Sequence, residues 1–185
     1  MNQLYQAALE VSGFMQARKW KFCIIGGMAV IRWGEQRQTQ DVDLTLLTGF
    51  GEEEIFAQAL LDSFASRTAN AMEFVLRNRV LLVKASNGAP LDISFGAFPF
   101  EERVVRRATS FEFAPGYVFP TCSAEDLIVM KSFAGRLRDW QDVEMIKVRQ
   151  KNRINWKLVL REIQPLAMLK EAPEIVERLS KLAKS

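Results

Sequence analysis

Apolar residues at Leu4, Ala8, Val11 and Met15 recur at the spacing of a single helix face and predict a helix over about residues 2–18. The run Phe22-Cys-Ile-Ile has the length of a buried strand and leads into Gly26-Gly27 and a short helix over residues 28–33. In Asp41-Val-Asp-Leu-Thr-Leu-Leu polar and apolar positions alternate at first, as a half-buried strand requires. Acidic residues 52–54 open a helix ending near Phe64, where the positive end of the helix dipole favours them. Residues 72–76 and 80–84 read as two β-like runs, and the Asn87-Gly88 turn signal then leads into Leu91-Asp-Ile-Ser-Phe, which reads as a hairpin. Residues 98–120 look irregular and contain proline. Ser123-Ala-Glu-Asp then starts a helix, with Ser123 as cap and Asp126 at its third following position. From there the chain reads as helical, broken near Pro165 and Pro173.

These elements add up to an α+β chain: a small mixed sheet flanked by helices, followed by a helical annex. The expected division is a core over residues 1–120 and a C-terminal helical region over 121–185 packed on it. A length of 185 residues with 49% hydrophobic and 25% charged residues suits a globular chain with a substantial core and excludes disordered, collagenous and coiled-coil classes. The apolar runs are too short to span a bilayer, and the first twenty residues lack the order of a secretory signal, so a cytoplasmic protein with no membrane partner is expected.

Two cysteines, Cys23 and Cys122, stand about a hundred residues apart, a spacing that offers no metal site and reads as reduced and structural. The absence of histidine removes Ser-His-Asp and Cys-His triads and the commonest general base, leaving carboxylates, Lys, Arg and hydroxyls to carry any chemistry. The net charge of +3 is unevenly spread: residues 1–130 hold 12 basic against 15 acidic side chains, and residues 131–185 hold 13 against 7. Carboxylates that could bind metal in the front, and an anion-facing or simply solvated surface in the tail, are both consistent with that split.

The informative segment is Ile24-Ile-Gly-Gly-Met-Ala, followed fourteen residues after Gly27 by Asp41-Val-Asp43. Residues i and i+2 of a strand share a face, so Asp41 and Asp43 set two carboxylates side by side. Unless one is protonated, a divalent cation with oxygen ligands is the natural compensator, and Mg²⁺ commonly takes one or two carboxylates plus substrate phosphates. Gly26 and Gly27 let backbone N–H groups approach an anion at a helix start, which suits a phosphate chain. Each piece alone has a plainer reading, a tight turn or a surface cap. A third acid, Asp92, stands between apolar residues on an expected strand and would otherwise be an exposed hairpin position.

Gly26-Gly27-Met28-Ala29, then Gly34 and Arg37-x-Thr39-x-Asp41-Val42-Asp43-Leu44, resembles the signature of the nucleotidyltransferase-fold superfamily, specifically its minimal AbiEii-like branch of bacterial toxin-type enzymes. The segment from Glu125 through Lys131, Arg136 and Arg138 to Asp139 and Asp142 resembles the same branch, the two together spanning about residues 20–145. The resemblance implies that Asp41, Asp43 and Asp92 bind two Mg²⁺ ions, that Asp92 can draw a proton from an acceptor hydroxyl, and that an NTP is attacked at its α-phosphorus. It further implies nucleotide contacts from Gly26, Gly27, Arg37 and Thr39, a phosphate-contacting Lys131, and a positioning or accessory Asp139. Many superfamily members carry a phosphate-touching Ser after the first Gly, where this chain has Gly27.

Other candidates have structural readings beside the functional ones. Thr39 can satisfy backbone groups and Arg37 can neutralise an acid. Arg136 and Arg138 can pair with Asp139. The basic run Lys147, Arg149, Lys151, Arg153, Lys157 and Arg161 reads first as a solvated helix and second as an RNA contact. Phe95, Phe98 and Phe100 read as core, with base stacking as the alternative. The expected activity is transfer of a nucleoside monophosphate to a hydroxyl of tRNA or another macromolecule, by the toxin of a toxin–antitoxin pair with a cognate antitoxin as partner. A small-molecule, antibiotic-type acceptor and a catalytically silent binding or antitoxin-type module are the alternatives.

Overall fold

A computed structural model describes residues 2–35 and 38–184. Among the described residues the chain runs α1 (Asn2–Ala17), β1 (Phe22–Ile24), α2 (Gly26–Trp33), β2 (Val42–Leu47), α3 (Glu53–Leu61), β3 (Ala65–Ser66), α4 (Ala71–Asn78), β4 (Val80–Lys84), β5 (Pro90–Gly96), α5 (Pro99–Arg107), β6 (Thr109–Ala114), β7 (Tyr117–Thr121), α6 (Ala124–Ala134), α7 (Leu137–Gln150), α8 (Trp156–Leu169) and α9 (Glu174–Lys184). It divides into two compact units, residues 1–28 with 38–122 and residues 29–37 with 123–185. Helix α2 is therefore shared: its first turn belongs to the sheet unit and the rest to the helical one.

The first unit is built on a mixed sheet in the order β3-β4-β5-β2-β1-β7-β6. At its centre β2 lies antiparallel to β1 and parallel to β5, and β5 is antiparallel to β4. Strand alternation then sorts the side chains. Val42, Leu44 and Leu46 of β2 and Leu91, Ile93 and Phe95 of β5 enter one core with Leu81 and Val83 of β4. The buried stripe of α1, Leu4, Ala8, Val11 and Met15, joins that core together with Leu60 of α3 and Val75 of α4. Each of these side chains larger than alanine contributes about 1.5–3 kcal/mol on burial. The intervening positions, Asp43 and Asp92 among them, are thereby turned to the opposite face.

Three local expectations are corrected. Residues 72–76 are helical, within α4, because Met72 and Val75 turn inward while Leu76 is exposed; a short apolar run does not distinguish helix from strand until its buried side is known. The stretch 98–120 is ordered into α5 and the antiparallel β6–β7 pair. Its helix begins with Pro99 at the first position, and the Glu101 carboxylate accepts the N–H groups of Ala97 and Phe98, at 2.8 and 2.9 Å. Pro165 lies inside α8 and does not break it; the chain leaves the helix only at Lys170, and Pro165 sits on its exposed side.

The second unit packs α6 against α7 and α8, and α8 against α9. Ser123 caps α6 as expected, its hydroxyl accepting the Asp126 N–H at 3.1 Å. Arg149, a member of the basic run, donates to the carbonyls of Ile31 and Gly34, and Gln150 donates to Trp33 O at 2.7 Å. These side chains supply the orphan carbonyls at the end of α2. No helix among the described residues is long and apolar enough to cross a membrane.

Because Pro165 removes one backbone donor from an exposed helix interior, Pro165→Ala should raise the unfolding free energy by about 1–3 kcal/mol, seen as a higher denaturant midpoint with an unchanged m-value. Equilibrium urea unfolding followed by circular dichroism measures it, and a drop in midpoint would contradict this account of α8.

Candidate active site

The parallel pairing of β2 with β5 puts Asp43 and Asp92 directly opposite one another. Asp41 stands at the bend just before β2, two positions ahead of Asp43. One carboxylate oxygen from each of the three lies within 4.8 Å of those of the other two, and all three residues are half-buried. Three hard oxygen donors at that spacing, with no sulfur or imidazole, fit a hard divalent cation such as Mg²⁺, whose Mg–O distances are about 2.0–2.1 Å.

The glycines are required by contact. Gly26 adopts φ +55°, and a Cβ built on it would overlap the Asp43 carboxylate. A Cβ on Gly27 would overlap the Thr39 hydroxyl. The strand-to-helix turn is thus bare because Asp43 and Thr39 occupy the volume its side chains would need. Gly27 donates its N–H to Asp43 Oδ2 at 3.2 Å, and Ile25 donates to the Asp43 carbonyl at 2.9 Å. The N–H at the start of α2 that the sequence suggests for a phosphate is therefore directed at Asp43. Thr39 donates to Asp41 Oδ1 at 3.0 Å and so orients the first carboxylate. The lost Ser at position 27 has a physical counterpart: a hydroxyl stands in that space, carried by Thr39.

The third carboxylate has a partner the sequence does not suggest. Arg67, immediately after β3, hydrogen-bonds through its guanidinium to Asp92 Oδ1, and its own N–H is fixed to Leu82 O at 2.9 Å. Leu82 faces Asp92 across the β4–β5 ladder. Strand pairing is what brings residue 67 to residue 92, and no local pattern announces it.

Lys131 and Asp139 lie in the helical unit and are buried together. Lys131 Nζ reaches Asp139 Oδ1 at 3.0 Å and Asp142 Oδ2 at 2.8 Å, and Arg136 Nε reaches Asp139 Oδ2 at 2.6 Å. Burial alone would push the Asp139 carboxyl up, but the hydrogen bonds from Arg136 and Lys131 outweigh it and hold it below the usual aspartate range. Arg37 lies outside the described residues. Phe95 is core, whereas Phe98 is exposed and meets Phe50 edge-on at 5.3 Å.

A mixed sheet carrying three carboxylates beside a glycine turn suits a divalent cation and a phosphate-bearing substrate, and a family match over residues 18–163 makes the chain a nucleotidyltransferase. Residues 18–163 match the family described as nucleotidyl transferase AbiEii toxin, type IV TA system, and the chain belongs to that family. No functionally curated protein matches it by sequence. Among solved structures it is similar to an antigenic nucleotidyltransferase-like protein from Paracoccidioides brasiliensis, at TM-score 0.55 and 14% identity, covering 97% of this chain and 93% of that one. It is also similar to the lincosamide antibiotic adenylyltransferase LnuA, lincomycin-bound, at TM-score 0.53 and 14% identity, over 77% and 95% of the two chains. The antibiotic-resistance factor ANT(2'')-Ia gives TM-score 0.55 and 15% identity, over 94% and 96%. At such identities these structures share the fold.

Gly27→Ser should destabilise the protein, and Thr39→Gly in the same chain should recover a substantial part of the loss by vacating the clashing volume. A thermal-melt double-mutant cycle reads the coupling, and additive effects would contradict the packing described. For Asp139, a depressed folded pKa means stabilisation that is complete above the unfolded value, about 4, and lost as pH falls through the lower folded value. Asp139→Asn should therefore cost about 1.5–3 kcal/mol near pH 7, a gap that closes below about pH 4 in urea titrations across pH.

Proposed function

We propose that the chain is a Mg²⁺-dependent enzyme that moves a nucleoside monophosphate from an NTP to a hydroxyl of an RNA, tRNA among the candidates, and that it acts in the cytoplasm as the toxin of a toxin–antitoxin pair with a cognate antitoxin. The convergence of Asp41, Asp43 and Asp92 on one side of the sheet carries this reading. Membership of a toxin nucleotidyltransferase family supports the toxin role. Exposed Lys151, Arg153, Lys157 and Arg161 support a polyanionic acceptor, since phosphate-backbone binding is largely charge-driven.

Asp41, Asp43 and Asp92 would hold two Mg²⁺ ions, which when bound supply neutralising charge for the triphosphate and the departing pyrophosphate. The acceptor hydroxyl gives its proton to Asp92 as its oxygen forms a bond to the α-phosphorus. The bond from that phosphorus to the oxygen bridging the β-phosphate breaks, and pyrophosphate leaves with the electron pair. Thr39 keeps Asp41 in orientation, and the Gly26-Gly27 turn leaves room for Asp43 to project. Gly26, Gly27, Arg37 and Thr39 form the nucleotide side in this reading, with Lys131 as a phosphate-contacting charge and Asp139 as the acid positioning it. Positioning and electrostatics suffice for this reaction, which agrees with a chain lacking histidine.

A second reading keeps the reaction and replaces RNA by a small hydroxylated antibiotic, favoured by the fold shared with LnuA and ANT(2'')-Ia. Transfer of label from α-³²P NTPs, offered with Mg²⁺ and either total RNA or lincosamides and aminoglycosides, separates the two. Asp41→Asn should lower transfer at least about 10²-fold while leaving the fold intact by circular dichroism. No label in any acceptor, together with unchanged Mn²⁺ binding in Asp41→Asn, would overturn the proposal and leave a silent nucleotide-binding or antitoxin-type module.

A further inference from the structure

We infer that Arg67 is a placeholder cation for the third carboxylate: its guanidinium holds Asp92 while the site is metal-free and must release it when a divalent ion binds. The inference rests on the reading of Asp41, Asp43 and Asp92 as a metal site. Three carboxylates with oxygens inside 4.8 Å repel one another, so each needs a compensating contact to stay aimed inward. Asp43 receives the Gly27 N–H and Asp41 the Thr39 hydroxyl. Asp92 receives a full positive charge on Oδ1.

A guanidinium and a divalent cation on one carboxylate repel each other, and the repulsion is strong where water is partly excluded. The arginine side is the one built to yield. Arg67 and Asp92 side chains are each 29% exposed, so the pair opens to water without desolvating a charge. Among the described residues Arg67 is held, apart from its contact with Asp92, by its main chain, through the N–H bond to Leu82 O, just after a two-residue edge strand. Its long side chain can therefore leave Asp92 while the backbone stays. Asp92 has far less reach, because its side chain is short and its strand is paired on both sides, to β2 and to β4. After release the guanidinium remains at the rim of a site that receives a triphosphate, where a mobile cation is favourable.

The rival arrangement is a supporting arginine that keeps Oδ1 while Oδ2 takes the metal. The two differ in sign. Removing a placeholder tightens metal binding, whereas removing a supporting partner weakens it.

Calorimetric and electron-paramagnetic titration of the full chain with Mn²⁺, without nucleotide, tests this on the wild type, Arg67→Ala, Asp92→Asn and the double variant. Arg67→Ala should bind Mn²⁺ roughly two- to fivefold more tightly than wild type, the range an exposed ion pair supplies. In the Asp92→Asn background the same change should gain little, since the contested oxygen is gone. A gain of equal size in both backgrounds would mean long-range charge alone and would overturn the placeholder role. Equal or weaker binding by Arg67→Ala would overturn it as well, leaving the metal site standing. Failure of wild type and Arg67→Ala alike to bind Mn²⁺ would overturn both the placeholder and the metal site beneath it. Circular dichroism of each variant distinguishes lost binding from lost folding.

Discussion

Mutual repulsion of three carboxylates at close range is the constraint around which the sheet unit is arranged. Asp41, Asp43 and Asp92 can stay together only if the backbone holds them and their neighbours supply positive or hydrogen-donating atoms. The parallel β2–β5 pairing fixes two of them, and the bend before β2 fixes the third. The bare Gly26-Gly27 turn then follows as a consequence, since any side chain there would occupy the volume of Asp43 or Thr39. Concentrating like charge in this way costs stability that the apolar face of the same strands must offset. That face is filled by Leu44, Leu46, Leu91, Ile93 and Phe95.

The helical unit solves a related problem by the opposite means. Two of its buried acids, Asp139 and Asp142, are met by Lys131, and Asp139 also by Arg136. Buried ions of this kind keep their charge only with partners at hydrogen-bond distance, which accounts for the lowered pKa of Asp139 despite its burial. Some of the basic excess of the C-terminal third is thus structural: Lys131 pairs inside the unit and Arg149 caps the carbonyl end of α2. Lys151, Arg153 and Lys157 of the basic run are exposed, whereas Arg161 pairs with the buried Glu162 carboxylate at 3.3 Å.

Much of the site was legible in the chain because it is local. Asp41 and Asp43 share a face by strand alternation, the two glycines precede them at a fixed distance, and the helix cap at Ser123 needs only its own three following residues. Thr39 belongs here too, since its hydroxyl acts on an acid two positions away. Asp92 was reachable as an acid among apolar strand residues, though its registration opposite Asp43 was not. Residues 72–76 form part of α4 although their short apolar run carries no period long enough to separate helix from strand. The order within 98–120 leaves little trace in the sequence because Pro99 and Glu101 start a helix that lacks a long apolar stripe.

The sequence by itself determined the fold class, the family and the pairing of two carboxylates at the start of β2, because spacing along the chain and the two-residue alternation of a strand are set by covalent geometry. Tertiary structure alone decided which surface the third acid faces, that Arg67 meets it, and that Thr39 occupies the space over Gly27. Those contacts join residues whose separation in the chain says nothing of their distance in space; β-sheet register sets them, and register is fixed only when the buried face of every strand is packed at once.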